Sequence, residues 1–142
     1  MNKELPSIML IDDNPDDNFI HERAIKKINS ESIVIVKNSG AEALDHLKTR
    51  IPPSSDLIFL DINMPEMNGW EFLDQYRKLD KDLQSVAIIV MLTTSDNSDD
   101  AERAKTLSCV TDFITKPLTK DKMNFIYEKY FTHSRTTVFP DL

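Results

Sequence analysis

Residues 56–73 read DLIFLDINMPEMNGWEFL, and the aspartate that follows the apolar run, Asp61, decides how the sequence is interpreted. The apolar run at 57–60 predicts a buried strand that ends on the Asp61 carboxylate. A carboxylate at the end of a buried strand is costly unless something compensates its charge. Identifying the groups that compensate Asp61 is therefore the first step toward a function.

Short apolar runs alternate with helical patterns along the rest of the chain. Residues 8–11 predict another buried strand. The helix that follows is expected to turn Ile20, Ala24 and Ile28 inward, because they share one face at helical spacing. The alternation continues to give five strands and five helices without an internal repeat. This pattern predicts an α/β fold, with a doubly wound, five-stranded parallel sheet flanked by five helices.

Length and composition limit the classes of protein that remain. The 142 residues suit one domain, so residues 1–132 are expected to form it and residues 133–142 a flexible C-terminal tail. A net charge of -7, without a clustered Lys/Arg stripe, argues against direct binding of nucleic acid. No apolar run approaches the roughly 20 residues of a membrane span. A single cysteine and an N-terminus unlike a signal peptide indicate a cytoplasmic protein.

Several conspicuous side chains show no pattern that indicates chemistry. Trp70 is expected at the surface or half-buried, and Cys109 is expected to be an inert small hydrophobic residue. His21, His46 and His133 have neither metal-ligand nor catalytic-triad spacing. We therefore expect all three histidines to face solvent.

Polar side chains end four of the predicted strands: Asp12 and Asp13, Asp61, Thr93 to Ser95, and Lys116 before Pro117. Ligands of parallel sheets bind beyond the carboxyl ends of the strands. Three close carboxylates repel one another, and Mg²⁺, which prefers oxygen ligands, would relieve that repulsion. Asp61 is then best interpreted as a nucleophile that forms an acyl phosphate. Mg²⁺, the Lys116 ammonium and the hydroxyl of Thr93, which is preferred to Thr94 because it directly follows the apolar run, would each contact a phosphoryl oxygen.

Four motifs carry a family resemblance: LIDDN, FLDINMPEMNG, VMLTTS and DFITKPL. Their order and spacing are those of the CheY-like receiver domain of two-component response regulators. Over residues 6–131 the chain resembles this family, and its single-domain type in particular. The resemblance implies the flavodoxin-like receiver fold with strand order 2-1-3-4-5. One departure occurs at residues 108–112, a segment that is slightly longer than usual and lacks the common Gly-Ala pair.

The resemblance implies a role for each residue around the metal ion. Asp61 looks like the phosphoacceptor and also contacts Mg²⁺. Asp13 looks like a direct ligand of Mg²⁺, and Asp12 looks like the residue that holds metal-bound water. The backbone carbonyl of Asn63 would be a third protein ligand. These four residues form the implied magnesium site.

The same resemblance implies which residues sense the phosphoryl group. Thr93 looks like the switch hydroxyl, and Lys116 looks like the phosphate-contacting lysine, with a cis peptide bond to the proline that follows. Phe113 occupies the position of the switch aromatic residue. Asn63 and Ser95 match two variable positions at the mouth of the site that tune dephosphorylation.

The function implied by the resemblance is that of a stand-alone response regulator. A histidine kinase or phosphotransfer protein would phosphorylate Asp61 in the presence of Mg²⁺. The change would reach an unknown downstream protein through the face formed by the fourth helix, the fifth strand and the fifth helix, which could also form a homodimer. Such a domain catalyses only its own phosphorylation and dephosphorylation, so it is not expected to be an enzyme in the general sense.

Three alternative functions fit the sequence less well. A haloacid-dehalogenase-like phosphatase also forms an aspartyl phosphate, but it needs a second aspartate two residues after the nucleophile, where this chain has Asn63. A flavodoxin-like cofactor binder needs a loop rich in Ser, Thr and Gly after the first strand, whereas residues 12–17 are acidic. A receiver-like adaptor that binds partners without phosphorylation is disfavoured because the whole chemical set is present.

Overall fold

Five parallel strands form one sheet at the centre of the molecule, with helices on both faces. The computed structural model describes residues 6–52, 54–84, 87–94 and 98–132. The strands are β1 (Ile8–Ile11), β2 (Val34–Lys37), β3 (Leu57–Asp61), β4 (Ile88–Thr93) and β5 (Asp112–Thr115). The helices are α1 (Pro15–Ile28), α2 (Gly40–Thr49), α3 (Gly69–Tyr76), α4 (Lys81–Gln84), α5 (Ser98–Lys105) and α6 (Lys120–Tyr127). The strand order β2-β1-β3-β4-β5, with every pair parallel, confirms the predicted doubly wound sheet.

The side chains of β1 alternate between two hydrophobic layers, as strand geometry requires. Met9 and Ile11 pack in the layer that contains side chains of α2, α3 and α5. Ile8 and Leu10 pack in the layer that contains side chains of α1 and α6. Every residue of β1 and β3 is buried, which is typical of central strands covered on both faces. The residues at the carboxyl ends of these strands are therefore positioned by the packed core of the sheet.

The number of helices differs from the predicted five. The described residues contain a sixth helix, α4, and a π-helical turn (Glu128–Thr132) that continues α6. α4 has only four residues, about one turn. A hydrophobic period of 3.6 residues cannot be recognised in so short a segment, and for this reason the sequence pattern missed it.

The buried face of α1 is rotated relative to the predicted one. Ile20 is 47% exposed, whereas His21 is only 1% exposed, so the expectations of an inward Ile20 and a solvent-facing His21 are both wrong. Asn18 is buried beside them and donates a hydrogen bond from Nδ2 to the carbonyl oxygen of Asp12 at 2.9 Å. This bond ties the polar side of α1 to the end of β1, and an apolar count along the helix cannot detect it.

Trp70 is buried rather than at the surface, with 7% of its area exposed. The guanidinium of Arg103, on α5, lies 4.5 Å from the centre of the indole ring. This cation–π contact covers the ring and joins α5 to the start of α3. The expectation of a surface or half-buried position is therefore wrong, because Trp70 also packs in a hydrophobic layer with side chains from distant elements, which the local sequence does not show.

Other expectations concern single residues and the chain ends. Cys109 is half-buried against the hydrophobic layer, as expected of a small hydrophobic residue, and His46 is partly buried. The tail at 133–142, with His133, and the tuning residue Ser95 lie outside the described residues. Among the helices that the structure describes, none is both long and apolar enough to cross a membrane.

Candidate functional site

The carboxyl ends of four strands meet at one edge of the sheet and bring the predicted residues together. Asp12 directly follows β1, Asp61 is the last residue of β3, and Thr93 is the last residue of β4. In the ladders, Asp61 is opposite Leu92. The backbone N–H of Lys116, just after β5, donates to the Thr93 carbonyl oxygen at 2.6 Å. The parallel topology thus gathers residues that are widely separated in the sequence.

Three carboxylates form a cluster that fits a divalent cation. One oxygen atom from each of Asp12, Asp13 and Asp61 lies within 4.8 Å of the others. Asp12 and Asp61 are each 3% exposed, and Asp13 is exposed at the rim of the site. Hard cations such as Mg²⁺ prefer carboxylate oxygens and retain several waters, and the exposed rim leaves room for water. The donor set and its spacing therefore suit Mg²⁺.

The ammonium of Lys116 is the counter-charge of this cluster. Its Nζ donates to Oδ2 of Asp12 at 2.7 Å and to Oδ2 of Asp17 at 2.8 Å, and it lies 3.0 Å from Oδ1 of Asp61. Burial by itself would lower the pKa of Lys116, but the hydrogen bonds to the three carboxylates outweigh burial and raise that pKa above its ordinary value. Lys116 is therefore fully charged. Its positive charge partly compensates the negative charge of Asp61, as predicted from the sequence. Its peptide bond to the following proline is cis.

Asp17 is the site residue that sequence reasoning missed. In the sequence, Asp17 is only one of the acidic residues of segment 12–17. In the structure it lies in the first turn of α1, where a carboxylate interacts favourably with the helix dipole. The structure adds its contact with Lys116, a residue 99 positions away in the chain. The local sequence offered one indication of this role, which is that Asp17 follows β1 closely. A helix that begins soon after β1 directs part of its first turn toward the end of the sheet.

The start of α1 orients Asp12. Oδ1 of Asp12 accepts a hydrogen bond from the backbone N–H of Asn14 at 3.0 Å, while its Oδ2 accepts from Lys116. Asn14 is the N-cap, and its side-chain oxygen accepts from the backbone N–H groups of Asp16 and Asp17 at 2.9 and 3.2 Å. Helix capping and the orientation of Asp12 are therefore parts of one local structure.

The loop between β3 and α3 holds Asn63 beside the site. The N–H of Gly69 donates to the carbonyl oxygen of Ile62 at 2.8 Å, which closes the loop against the end of β3. Asn68 and Glu71 form a reciprocal capping box that starts α3. The side chain of Asn63, two residues after Asp61, is exposed. The loop is thus closed by backbone contacts, and Asn63 remains accessible.

The two predicted switch residues lie on neighbouring strands. Thr93 is 1% exposed, whereas Thr94 is exposed. Phe113, on β5, is partly buried and packs against the layer that contains α2, α3 and α5. The longer segment before β5 is accommodated by backbone bonds, including one from the Thr111 N–H to the Ile89 carbonyl oxygen at 2.8 Å. The departure at 108–112 therefore leaves the site edge in place.

Burial raises the pKa of Asp61 to about 6, from an ordinary value of 3.8, although the hydrogen bond from Lys116 opposes this rise. A carboxyl group whose pKa is raised by folding stabilises the folded state below its unfolded pKa. That stabilisation is lost as the pH rises through the folded pKa. Above about pH 6, the ionised Asp61 side chain therefore lowers the free energy of unfolding of the metal-free protein.

We expect Asp61→Asn to raise the free energy of unfolding at pH 8 in EDTA by about 1–2 kcal/mol, a value reduced for solvent screening at the open rim. The gain should vanish near pH 4, where the wild-type carboxyl group is protonated when folded. Urea unfolding between pH 4 and pH 8 measures this difference, with the exposed Asp16→Asn as the matched control. An equal gain at pH 4 and pH 8 would show that charge is not its cause.

Comparison with known proteins now identifies the family. The family model described as the response regulator receiver domain matches residues 8–127, a range that contains all of the strand ends described above. The chain belongs to the response regulator receiver family. It is a signalling domain of two-component systems, and receiver domains generally bind Mg²⁺ at an acidic site such as that of Asp12, Asp13 and Asp61.

Individual relatives agree with this assignment. The receiver is 27% identical over 128 residues to "Hybrid signal transduction histidine kinase L" of Dictyostelium discoideum, covering 90% of this chain and 7% of that protein. It is 33% identical over 142 residues to "Protein-glutamate methylesterase/protein-glutamine glutaminase 3" of Burkholderia thailandensis, covering 92% and 36%. A solved two component response regulator from Cytophaga hutchinsonii superposes with a TM-score of 0.81 at 28% identity, covering 88% of this chain and 96% of that one. The chain thus spans well under two thirds of these two curated relatives.

Proposed function

We propose that this receiver accepts a phosphoryl group on Asp61 from a histidine kinase or phosphotransfer protein and signals through protein contacts. The observation that carries the proposal is the Lys116 ammonium 3.0 Å from Oδ1 of Asp61, beside the three-carboxylate cluster. Phosphoryl transfer to a side chain needs a nucleophile, here a carboxylate, together with a positive counter-charge and oxygen atoms that bind a metal ion.

Asp13 and Asp61 would bind Mg²⁺ with their side chains, Asp12 would hold metal-bound water, and Asn63 would contribute its backbone carbonyl. When bound, Mg²⁺ supplies positive charge that neutralises the phosphoryl oxygens. The chain itself supplies the nucleophile. With a pKa of about 6, Asp61 is largely ionised at neutral pH, so its carboxylate is available for attack.

In the transfer step, an Asp61 carboxylate oxygen attacks the phosphorus atom of the donor. The new O–P bond forms as the P–N bond to the donor histidine breaks, and the imidazole leaves with that electron pair. Lys116 donates a hydrogen bond to one phosphoryl oxygen, and the Thr93 hydroxyl donates to another. Both donors stabilise charge that develops on the transferring group.

The signal would travel from Thr93 to the surface made by α5, β5 and α6, which are the predicted fourth helix, fifth strand and fifth helix. Thr93 moves toward the phosphoryl group, and Phe113 turns into the space that opens behind it, which shifts an equilibrium between two states of that surface. Phe125, on α6, is 50% exposed and supports a role for this face in contacts with a downstream protein or a second copy of the chain. Ser95 and Asn63 would tune the phosphoryl lifetime.

The broader assignments follow from the same proposal. Residues 1–132 would form the receiver, with 133–142 as a C-terminal tail, and the protein would act in the cytoplasm without binding nucleic acid or membrane. It would catalyse no reaction beyond its own phosphorylation and dephosphorylation. The adaptor that does not use phosphate is the main alternative, and the phosphatase is disfavoured by Asn63.

The test is a mass measurement on the intact protein. We expect incubation with Mg²⁺ and acetyl phosphate to add one phosphoryl group, and we expect none on Asp61→Asn or in EDTA. If no adduct forms, binding of beryllofluoride separates a short lifetime from lost chemistry. A wild-type protein that neither gains mass nor binds beryllofluoride would refute the proposal and favour the adaptor.

A further inference from the structure

One contact at the site has no part in the function proposed above. The Lys116 ammonium has three protons, and in this structure its three partners are Asp12 at 2.7 Å, Asp17 at 2.8 Å and Asp61 at 3.0 Å. Asp12 and Asp61 also belong to the carboxylate cluster that could hold a metal ion, but Asp17 does not. Asp17 therefore contacts the lysine without belonging to the metal site.

This difference matters once the site is loaded. Asp12 and Asp61 then have other partners, because their oxygens face the metal ion and the phosphoryl group. Asp17 lies outside that carboxylate cluster, so a metal ion bound there does not take its carboxylate away from Lys116. We propose that Asp17 is a positioning residue that holds the Lys116 ammonium at the phosphoryl position on Asp61. The inference rests on the proposed function, which it deepens.

Local structure holds Asp17 in place for this role. Its backbone N–H donates to the N-cap side chain of Asn14, and the Asn18 side chain next to it is bonded to the Asp12 carbonyl oxygen. The first turn of α1 is thereby fastened to the end of β1. The side chain of Lys116 is 9% exposed and that of Asp17 is 29% exposed, so Asp17 reaches the buried ammonium from the rim.

The other groups near Lys116 do not compete with Asp17. Burial, and secondly the charge of Lys116, lower the pKa of His21, so its buried imidazole is neutral. The ammonium of Lys122 is occupied by the carbonyl oxygens of Thr115 and Pro117, at 2.6 and 3.2 Å. On the α1 side, Asp17 is therefore the group that can attract the Lys116 ammonium by charge.

The rival explanation is that Asp17 only stabilises the start of α1, as any acidic residue there would. Asp16 provides a matched control, since it lies in the same helical turn and carries the same charge. It is exposed, and no ion pair in the described part of the chain includes it. Asp16→Ala thus removes the interaction with the helix dipole but leaves Lys116 untouched.

The experiment measures the rate of phosphoryl incorporation from acetyl phosphate at saturating Mg²⁺, together with the Mg²⁺ concentration that gives half the maximal rate. We expect Asp17→Ala to slow the maximal rate by about 10-fold, less than the loss of a direct donor would cause. Asp16→Ala should stay within about twofold. Asp17→Asn, which retains an acceptor oxygen but no charge, should fall between them. The half-saturating Mg²⁺ concentration should be the same in all four proteins.

Several outcomes would overturn the inference. Equal rates for Asp17→Ala and Asp16→Ala would reduce Asp17 to a helix-capping role, and a faster Asp17→Ala would mean that Asp17 withdraws the lysine. A changed Mg²⁺ requirement with an unchanged maximal rate would assign Asp17 to the metal. If Asp17→Ala does not fold, the near-isosteric Asp17→Asn decides, and an unchanged rate in that variant overturns the inference. A wild-type protein that neither takes up a phosphoryl group nor binds beryllofluoride would instead refute the proposed function itself.

Discussion

Lys116→Met is expected to slow the phosphorylation of Asp61 by about 100-fold or more, the effect of removing one preorganised donor from a developing anion. Methionine has a similar length and fills the volume of the lysine stem without its charge. The nucleophile and the carboxylate cluster stay in place, so the variant separates the counter-charge from the metal site. The measurement is the rate of mass gain from acetyl phosphate at saturating Mg²⁺.

Lys116→Met should also lower the stability of the unphosphorylated protein. Asp12 and Asp61 are buried, and without Lys116 their charges face each other uncompensated. Removing one partner of a buried ion pair costs about 3–5 kcal/mol, and partial solvent access at the rim places our expectation at the lower end. Mg²⁺ should therefore stabilise Lys116→Met more than it stabilises the wild type.

The matched control is Lys120→Met, which makes the same substitution at an exposed position on α6. We expect its rate and its stability to match the wild type. A Lys116→Met protein that is phosphorylated within threefold of the wild-type rate would show that the ammonium near Asp61 is a structural counter-ion only. The proposed mechanism would then lose its principal donor.

Gly69→Ala is expected to lower the free energy of unfolding by about 2–4 kcal/mol. A Cβ at this position would lie 2.8 Å from the backbone oxygen of Asp61 and 2.9 Å from Cα of Ile62. Both atoms belong to the backbone at the end of β3, which cannot yield without moving the phosphoacceptor. The rate of phosphorylation should therefore fall together with the stability.

Gly40→Ala is the control, because Gly40 is likewise the first residue of a helix. Its added Cβ would meet Sδ of Met67 at 2.7 Å, the end of a flexible side chain that can turn away. We expect a change within about 1 kcal/mol, partly offset by the helix propensity that alanine adds. Urea unfolding of both variants measures the contrast, and equal losses would contradict the assignment of the Gly69 cost to backbone contact.

The sequence by itself determined the fold class and the chemical groups of the site. Runs such as 57–60, each ending on a polar residue, predict buried parallel strands, and parallel strands place their carboxyl ends at one edge. Asp12, Asp61, Thr93 and Lys116 could therefore be assigned to one site before any contact was known. This assignment depends on the order and direction of the strands, so small errors in the predicted strand boundaries do not change it.

Only the tertiary structure decided how the helices are turned and which residues support the site. An apolar count placed Ile20 inward on α1, but the structure buries His21 and Asn18 instead, and Asn18 donates a hydrogen bond to the Asp12 carbonyl oxygen just after β1. Trp70 is buried in the hydrophobic layer that contains α2, α3 and α5, and Arg103, from another helix, lies over its ring. Asp17 meets Lys116 across 99 positions of sequence. The local sequence pattern predicts whether a segment forms a helix or a strand. The rotation of that element and its contacts with distant residues depend on packing and long-range polar contacts, which form only when the chain folds.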